Sequence, residues 1–310
     1  MHTIAGISPN ADARKCCARF VLTYGNPSST QTFEDTAIIS VNIISEYSET
    51  SASEPICELN VVLDNSNRLF NVTDKNNLYY SLSTRTTYGE IYISSVCYGS
   101  SNIFLKKTKL QYDSISFQKN NVTLKFYDPF AFDILDGFGM TGACNRTDGT
   151  ARAIVDYIMD GYFAARCEIS DELNNARKFS ASNFEKNGLT MSQRTGLKRI
   201  ASLLSATTRK TVICHIDDNG NLKYAYQKNI ADKTETLTET DYFDFRIEPP
   251  EAKNGNTIGC FNDRGNILRE LGDTICITQE SETFHMRVFR TSYTYINGVL
   301  SAENKGYILT

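Results

Sequence analysis

The sequence is poor in the residues that most often build catalytic and metal sites. It has no tryptophan, 3 histidines and 6 prolines in 310 residues. The histidines, His2, His215 and His285, never stand in the His-x-x-x-His spacing of a zinc hydrolase, so that class of enzyme lacks its ligands. We interpret His215 and His285 as strand residues. The sequence therefore predicts no metal site.

Long apolar segments are also lacking. No run approaches the roughly 20 apolar residues that a membrane-spanning helix needs, so we expect no membrane span. The first residues, MHTIAGISPNADARKCCARF, contain no apolar core of a secretory signal peptide.

The chain holds 9 cysteines, but their spacing lacks the pairs typical of metal or redox sites. They form no Cys-x-x-Cys motif and their number is odd, which argues against a zinc site and against a disulfide framework. Cys97, Cys214 and Cys276 each lie inside an alternating apolar run, where a free thiol behaves as a small hydrophobe. We expect buried free thiols and an intracellular folding environment.

An excess of positive charge is missing as well. The formal net charge is −4, and lysines and arginines are spread along the chain. The one small basic cluster, Lys106-Lys107-Thr108-Lys109, is interpreted as a solvated edge of a strand or loop. We therefore expect no sequence-specific binding of nucleic acid.

Nucleotide-binding glycine motifs do not occur either. Gly137-Phe138-Gly139-Met140-Thr141-Gly142 comes nearest, but no apolar strand leads into it and no well-formed helix start follows it. No cofactor is expected.

Candidate catalytic pairs can be named, but each has a structural interpretation. Three carboxylate pairs could serve a glycosidase: Asp217 with Asp218, Asp133 with Asp136, and Glu34 with Asp35. Asp217-Asp218 precedes Asn219-Gly220 and is better explained as turn chemistry. A peptidase would need a Cys–His pair, such as Cys214 or Cys276 with a histidine. We predict no catalytic residues and no enzyme activity.

The clearest feature that the sequence does contain is a helix followed by a hairpin, in residues 192–227. Ser192 can cap a helix that we expect to end near Ala206. The apolar face of this helix has residues three or four apart, namely Leu197, Ile200, Ala201 and Leu204. Strands are predicted at 211–216 and 221–227, joined by a type I′ turn at Asn219-Gly220. The helix must lie on a sheet to bury its apolar face.

Short alternating apolar runs surround this unit. Before it, they predict strands at 18–24, 37–46, 55–65, 90–98, 103–111, 114–118 and 122–127. Short antiparallel strands separated by turns indicate a closed or nearly closed β-barrel or a sandwich. A helix is predicted at 151–161, turns at 263–266 and 271–273, and late strands at 283–295 and 298–309.

Several loose motifs follow one another in order along the chain. They are Ile38-Ile39 with Ile43 and Glu46; Pro55-Ile56 with Leu59 and Leu63-Asp64-Asn65; Val122 with Leu124 and Asp128; the helix at 151–161; the helix and hairpin from Arg194 to Leu222; and Leu271-Gly272-Asp273. In this order they resemble the tail-hub or baseplate-hub proteins of tailed bacteriophages and of related phage-tail-like particles. The resemblance covers roughly residues 33–306.

The resemblance implies a mainly β fold with small helical inserts, built from two β-barrel-like domains of the phage tail-hub type. It divides the chain into a first β-barrel-like domain at 18–128, a helical or mixed insert region at 129–210, and a second domain at 211–310. The stretch between Gln227 and Ile267 is shorter than a fuller β-domain would need, so we expect this second barrel to be trimmed. We expect the C-terminal strands to complete it. Because the sequence ends at Thr310 soon after these strands, we expect no appended fibre or peptidoglycan hydrolase.

The resemblance also implies a function. It implies a structural subunit of a phage tail tip or baseplate that forms a homotrimeric hub ring, located in the virion and assembled in the cytoplasm of the bacterial host. The ring would join the tail tube or a distal tail protein to a spike, fibre or tape-measure protein and let DNA pass.

Two alternatives stay open at this stage. A carbohydrate-binding adhesion module of the same virion could use the tyrosines of Tyr79-Tyr80 or Tyr293-Thr294-Tyr295 as a sugar-stacking surface, although cross-strand or interface pairs explain them equally well. A glycosidase or peptidase domain would require one of the acid or Cys–His pairs above to meet in a pocket.

Overall fold

The computed structural model describes residues 16–47, 56–95, 104–130, 150–158, 165–175, 193–228, 230–232, 235–249 and 256–309. The fold is mainly β with small helical inserts, as the sequence predicts. The strands of the first half are β1 Cys16–Tyr24, β2 Ser29–Glu34, β3 Ile38–Glu46, β4 Ile56–Asp64, β5 Tyr88–Ser95, β6 Leu105–Gln118 and β7 Asn121–Tyr127.

The second half contributes the remaining strands and the helices. Its strands are β8 Cys167–Ile169, β9 Val212–Ile216, β10 Leu222–Tyr226, β11 Glu235–Leu237, β12 Tyr242–Glu248, β13 Ile258–Asp263, β14 Thr274–Gln279, β15 Glu282–Ile296 and β16 Val299–Leu309. The α-helices are α1 Ala151–Ile158, α2 Asp171–Asn175 and α3 Gln193–Thr208. Short 3-10 helices occupy Asp35–Ala37, Leu78–Ser81 and Ile230–Asp232.

One 13-stranded sheet connects the two halves. Its strand order is β12-β13-β16-β15-β3-β4-β7-β6-β5-β1-β2, and β14 joins β15 to the short strand β11. The link between the halves is the antiparallel pairing of β15 with β3, from Arg290 opposite Glu46 to Ile296 opposite Ser40. A separate 3-stranded sheet, β8-β10-β9, carries the predicted hairpin. The division into three sequence regions stays a prediction.

Alternation of apolar and polar residues explains why these segments form strands with one buried face. In β4, Cys57, Leu59, Val61 and Leu63 are buried while the residues between them are half-exposed. The buried residues form two clusters. The first fills the β1–β7 half and also takes in the small sheet and α3. The second packs β13, β14, β15 and β16 around Phe261 and Ile275.

The predicted strands are found at nearly the predicted bounds, with three corrections. The predicted runs 103–111 and 114–118 form the single strand β6, with a register shift between Tyr112 and Ser114 where it pairs with β7. Strand β2 was not predicted, because its residues STQTFE are mostly exposed and polar at the edge of the sheet, and β8, β11, β12 and β13 were not predicted either. The third correction concerns the hairpin turn.

The turn between β9 and β10 is not the predicted type I′ turn. Of Asn219 and Gly220 only Gly220 has a positive φ, +76°. The N–H of Gly220 donates to the carbonyl oxygen of Asp217 at 3.0 Å, and the N–H of Asp217 donates to that of Asn221 at 2.8 Å. This is a three-residue loop in which a left-handed glycine follows a tight turn. The type I′ signature, positive φ at both residues, occurs instead at Asn297-Gly298 between β15 and β16.

The helix of the predicted unit packs as expected on the hairpin. Ile200, Ala201 and Leu204 are buried in the first cluster, and the side chain of Leu197 and the capping residue Ser192 lie outside what the structure describes. The hydroxyl of Ser205 accepts a hydrogen bond from the N–H of Val212 at 2.8 Å, which fixes the helix end to the start of β9.

The helix predicted at 151–161 is present as α1, with Val155 buried. Side chains of Ile154, Ile158 and Met159, predicted for the same face, lie outside the described part.

The hairpin turn docks against the large sheet. The Nζ of Lys106 donates to Oδ1 of Asn219 at 3.1 Å, and Gly220 lies so close to β6 that a Cβ there would overlap the carbonyl oxygen of Lys109. A glycine is therefore required at 220 both by its positive φ and by this close approach.

Gly220→Ala is expected to destabilise the fold, because the added Cβ meets the backbone of β6 and the residue must keep a positive φ. We expect a loss of about 2–4 kcal/mol in the free energy of unfolding, measured by urea denaturation. Gly25→Ala is the matched control, since Gly25 has a φ of +78° and its Cβ would lie 3.3 Å from the Pro27 carbonyl oxygen. Equal losses in the two variants would show that docking on β6 contributes nothing.

Candidate functional site

A buried ion network lies where the loop after β13 crosses the large sheet. Arg269 is 2% exposed, and its guanidinium donates to both carboxylate oxygens of Glu235, with Nε 3.0 Å from Oε2 and a terminal nitrogen 3.1 Å from Oε1. Another guanidinium nitrogen lies 2.7 Å from Oδ2 of Asp263. Burial alone would lower the pKa of Arg269, but the two carboxylates outweigh it and raise this pKa. The guanidinium therefore remains charged.

Polar neighbours complete this network. The amide of Asn266 donates to Oε1 of Glu235 at 3.1 Å, and the hydroxyl of Tyr293 donates to the carbonyl oxygen of Asn266 at 2.8 Å. The N–H of Gly265 donates to Oδ1 of Asp263 at 2.9 Å. The turn predicted at 271–273 is present at Leu271-Gly272, with a φ of +85° at Gly272. In the segment predicted as a turn at 263–266, Asp263 ends β13, a bend follows at Arg264, and the turn itself comes later, at residues 267–268, after Gly265 with a φ of +81°.

Lys107 extends the buried charges toward the hairpin. It is 8% exposed, and its Nζ donates to the carbonyl oxygens of Ile267 and Arg269, both at 3.3 Å. The same Nζ lies 3.8 Å from Oδ1 of Asp218 and 4.7 Å from the ring centre of Tyr293. The interpretation of Lys107 as part of a solvated edge was wrong. A register shift in the β5–β6 pairing skips Lys107, so the simple alternation of a strand does not hold there.

A cleft of about 270 Å³ opens beside these groups. It is lined by Ser45, Lys107, Glu168, His215, Ile216, Asp217, Asp218, Asn219, Lys223, Arg269, Glu270, Leu271 and Thr291. The small sheet supplies one wall, and β3, β6, β15 and the loop after β13 supply the rest. The β9–β10 hairpin thus faces the large sheet across a polar cleft.

The carboxylate pair Asp217-Asp218 lies in this cleft, where Asp217 is held by its turn and Oδ1 of Asp218 lies 3.8 Å from Nζ of Lys107. Oδ1 of Asp217 accepts the N–H groups of Asn219 and Asn221, both at 2.8 Å, which confirms the role in the turn. Burial raises the pKa of Asp217 and also that of Asp218. For Asp218, the charge of Lys107 opposes this effect but does not outweigh it. Glu34 and Asp35 lie apart from the cleft, at the end of β2, and Asp133 and Asp136 lie outside the described residues.

Among the described residues, Cys276 and His285 form no activated pair. Cys276 lies directly opposite His285 across β14 and β15, yet no hydrogen bond between their side chains is found in this described region. Burial raises the pKa of the Cys57 and Cys167 thiols to about 12 and that of Cys260 to about 11. Protonated thiols are poor nucleophiles.

The cysteines that the structure describes are mostly buried, as predicted: Cys17 is half-exposed, and the buried ones are Cys16, Cys57, Cys167, Cys214, Cys260 and Cys276. Cys97 and Cys144 lie outside this part of the chain.

His215 is a buried neutral histidine in the wall of the cleft. It is 7% exposed and its Nδ1 has no hydrogen-bond partner. Burial lowers its pKa to about 3, with further lowering by the charges of Lys223 and Lys228 and a smaller opposing effect of Asp273. His215 and His285 both lie in strands, as predicted.

The exposed large apolar side chains of the described residues form three groups, and a further one, Ile230, is 38% exposed in the 3-10 helix Ile230–Asp232. Phe243 and Ile247, 66% and 46% exposed, lie on β12, the last strand of the sheet order. Ile296 and Val299 flank the β15–β16 turn and are 49% and 62% exposed. The third group is an aromatic patch of Val72, Tyr79, Tyr80 and Phe117.

The aromatic patch brings together one of the two predicted tyrosine pairs. The rings of Tyr79 and Tyr80 are 5.0 Å apart and nearly perpendicular, and Tyr79 lies 5.9 Å from Phe117. Tyr80 and Phe117 are 49% and 43% exposed, so the patch faces solvent. Tyr293 and Tyr295 are 1% exposed and form part of the core, so they offer no sugar-stacking surface.

Two other classes of site were searched for in the described ranges. No group of three or more histidine, cysteine, aspartate or glutamate side chains there is arranged to hold a metal ion. No helix among these residues has both the length and the apolar character needed to cross a membrane.

The fold matches solved structures of phage tail proteins. The tail protein from Neisseria meningitidis MC58 has a TM-score of 0.62 and 9% identity, over 94% of this chain and 96% of that one. The 43 kDa tail protein of prophage MuSo2 from Shewanella oneidensis has a TM-score of 0.58 and 10% identity, over 93% and 96%. No protein-family model and no curated protein sequence matches the chain.

A third similar structure belongs to a related particle. The E. coli c3393 protein, a component of the type VI secretion system with structural similarity to the T4 bacteriophage tail proteins gp27 and gp5, has a TM-score of 0.51 and 8% identity. The match covers 88% of this chain and 74% of that one. The chain therefore has the tail-hub and baseplate type of fold that its motif order predicts.

Arg269→Met is expected to destabilise the protein strongly, because it leaves Glu235 and Asp263 buried without a cation. We expect a loss of about 3–5 kcal/mol in the free energy of unfolding. Arg246→Met is the control, since Arg246 is 46% exposed and pairs with exposed carboxylates on the sheet surface. It should cost far less, because solvent screens its ion pairs. Similar losses in both variants would contradict a special role for the buried network.

His215→Gln is expected to reduce the loss of stability in acid. Between pH 6.5, the ordinary pKa, and about 3, the unfolded chain binds a proton that the folded chain does not, so stability falls as the pH falls. Between neutral pH and about pH 4.5, the free energy of unfolding should fall by about 2–3 kcal/mol less in the variant than in the parent chain. Urea unfolding at both pH values measures this, and parallel losses would refute it.

Proposed function

We propose that this protein is a structural subunit of a phage tail tip or baseplate. The observation that carries the proposal is the likeness of its fold to tail proteins over more than nine tenths of both chains. The proposed location is the virion, after assembly in the cytoplasm of the bacterial host.

The proposed assembly is a homotrimeric hub ring. Two β-barrel-like domains per chain would give three subunits an approximately sixfold arrangement toward the tail tube. In this arrangement the ring contacts the tube or a distal tail protein on one side and a spike, fibre or tape-measure protein on the other. A net charge of −4 is consistent with a passage that DNA crosses without being bound.

An assembled ring requires wide contact surfaces, and β12 offers one. A sheet edge presents unpaired backbone groups, and Phe243 and Ile247 add exposed apolar area beside them. We propose that this edge contributes to the contact between subunits.

The side-chain chemistry supports a structural role over an enzymatic one. Arg269 and Lys107 are neutralised by internal partners, Asp217 is held by its turn, and the pKa values of three buried thiols are raised. These arrangements stabilise a scaffold, and they offer no activated nucleophile among these groups.

The mass in solution tests the hub proposal. Light scattering over a dilution series is expected to give three times the chain mass of 34.8 kDa, and negative-stain images should show a ring with a central opening. Phe243→Lys with Ile247→Lys should shift the trimer toward monomer, because it places charge on an apolar contact. Val72→Lys, at a similarly exposed position away from β12, is the control.

A compact monomer at every concentration would contradict a self-assembling hub. In that case the aromatic patch favours the second candidate, a carbohydrate-binding adhesion module of the same virion, because exposed aromatic rings can stack on sugars. Binding to host-envelope glycans that is lost in Phe117→Ser, with the fold intact, would support that candidate.

A further inference from the structure

The two halves of the large sheet have the same strand order. The first half runs β3-β4-β7-β6-β5, and the second runs β12-β13-β16-β15-β14. Every step in both series is an antiparallel pairing. Strand β3 of the first half therefore corresponds to β12 of the second, and β6 corresponds to β15.

A register shift at the same place aligns β3 with β12 residue by residue. The β3–β4 ladder shifts between Ile38 and Ser40, and the β12–β13 ladder shifts between Tyr242 and Asp244. Each shift leaves one residue of the first strand out of the pairing. Ser40 therefore corresponds to Asp244.

A second register shift aligns β6 with β15. The β6–β7 ladder shifts between Tyr112 and Ser114, and the β15–β16 ladder shifts between Val288 and Arg290. Ser114 therefore corresponds to Arg290. The two halves thus agree in strand order and in the positions of both irregularities.

The junction inside the chain joins one strand of each kind. Strand β15 pairs with β3 through residues 290–296, which lie beyond the segment that pairs with β14. Tyr293 stands opposite Ile43 in this junction, and the two side chains are 1% and 0% exposed. The junction thus pairs a strand in the β6 position with a strand in the β3 position.

The corresponding strands β6 and β12 have no such partner in the described part of the chain. Residues 114–118 of β6 pair with β7 alone, and β12 pairs with β13 alone. Each strand therefore presents a free edge to which another strand can add.

We propose that β12 of one subunit pairs antiparallel with residues 114–118 of β6 in the next subunit, in the register of the β3–β15 junction. This inference rests on the proposed hub function and names the strands of its subunit contact. A threefold ring joins unlike surfaces of successive subunits, and β6 and β12 supply two such surfaces. One kind of strand pairing then recurs within and between the chains, which accounts for the proposed sixfold arrangement.

This register brings two exposed apolar side chains together. Three residues beyond its shift, β12 has Ile247 where β3 has Ile43. Three residues beyond its own shift, β6 has Phe117 where β15 has Tyr293. Phe117 and Ile247 therefore stand directly opposite each other, and in the single chain they are 43% and 46% exposed. The pairing would cover each of them with the other, as the junction covers its own pair.

The neighbouring residues are compatible with the same register. It places Ser116 opposite Glu248 and Gln118 opposite Arg246. No like charges therefore face each other in these pairs, an arrangement that would have opposed the contact.

Light scattering of Phe117→Lys over a dilution series tests the contact. The variant should need about tenfold or more higher concentration than the parent chain to form the trimer, because it places a charge opposite Ile247. Val299→Lys is the matched control, since Val299 is 62% exposed at the β15–β16 turn and takes no part in the pairing. It should assemble like the parent chain.

The outcomes separate this inference from the hub proposal. A Phe117→Lys trimer as stable as that of the parent chain would overturn the pairing and leave the hub proposal standing. A parent chain that is a monomer at every concentration would contradict the hub proposal and the pairing with it.

A cysteine pair tests the register without placing charge in the contact. Residues directly opposite in antiparallel strands have Cα atoms about 4.5–5.5 Å apart, which suits a disulfide. Phe117→Cys with Ile247→Cys should therefore give a covalent trimer on a non-reducing gel after mild oxidation. Phe117→Cys with Phe243→Cys is the control, because position 243 lies about 13 Å further along β12.

The single cysteine variants measure the background from the native cysteines. Equal cross-linking of the two cysteine pairs, or a link that leaves only the monomer band, would refute the register.

Discussion

The burial of Arg269 is the constraint on which the contact between the two halves of the chain depends. A guanidinium at 2% exposure must be neutralised, and it draws Glu235 from β11, Asp263 from the end of β13 and Asn266 from the following loop to one point. That loop then presents the carbonyl oxygens that hold Lys107 of β6. One cation thus fixes the position of a loop, and the loop fixes a second cation from the other half of the chain.

The hairpin of β9 and β10 links the same halves through apolar contacts. Every residue of β9 is buried, and its two faces enter different cores: Val212, Cys214 and Ile216 belong to the first cluster and Ile213 to the second. Ile213 packs so closely on Gly272 that a Cβ at that glycine would overlap it. The hairpin therefore has no solvent-facing side over β9, and its turn closes against β6 through Gly220.

These contacts account for a rigid scaffold in which the charged groups serve mainly to position strands. The long sheet runs without a break from β12 to β2, and β15 carries most of the connection by pairing with β3, β14 and β16. Part of its exposed apolar surface lies at a sheet edge and at a hairpin end, at Phe243 and Ile247 of β12 and at Ile296 and Val299 beside the β15–β16 turn. This placement suits the proposed contact with other subunits.

The sequence by itself determined the fold class, most strand positions, the helix and hairpin, and the family whose fold the chain shares. Strand and helix periodicity reports which face of each local segment is buried, and the order of segments is a property of the chain alone. Only the tertiary structure decided the type of the Asn219 turn, the burial of Lys107 and the partners of Arg269. A turn type depends on what packs against it, a register shift displaces a side chain from the alternating pattern, and Glu235 and Arg269 stand 34 residues apart. Their pairing arises from the folding of distant strands, and a one-dimensional pattern carries no sign of it.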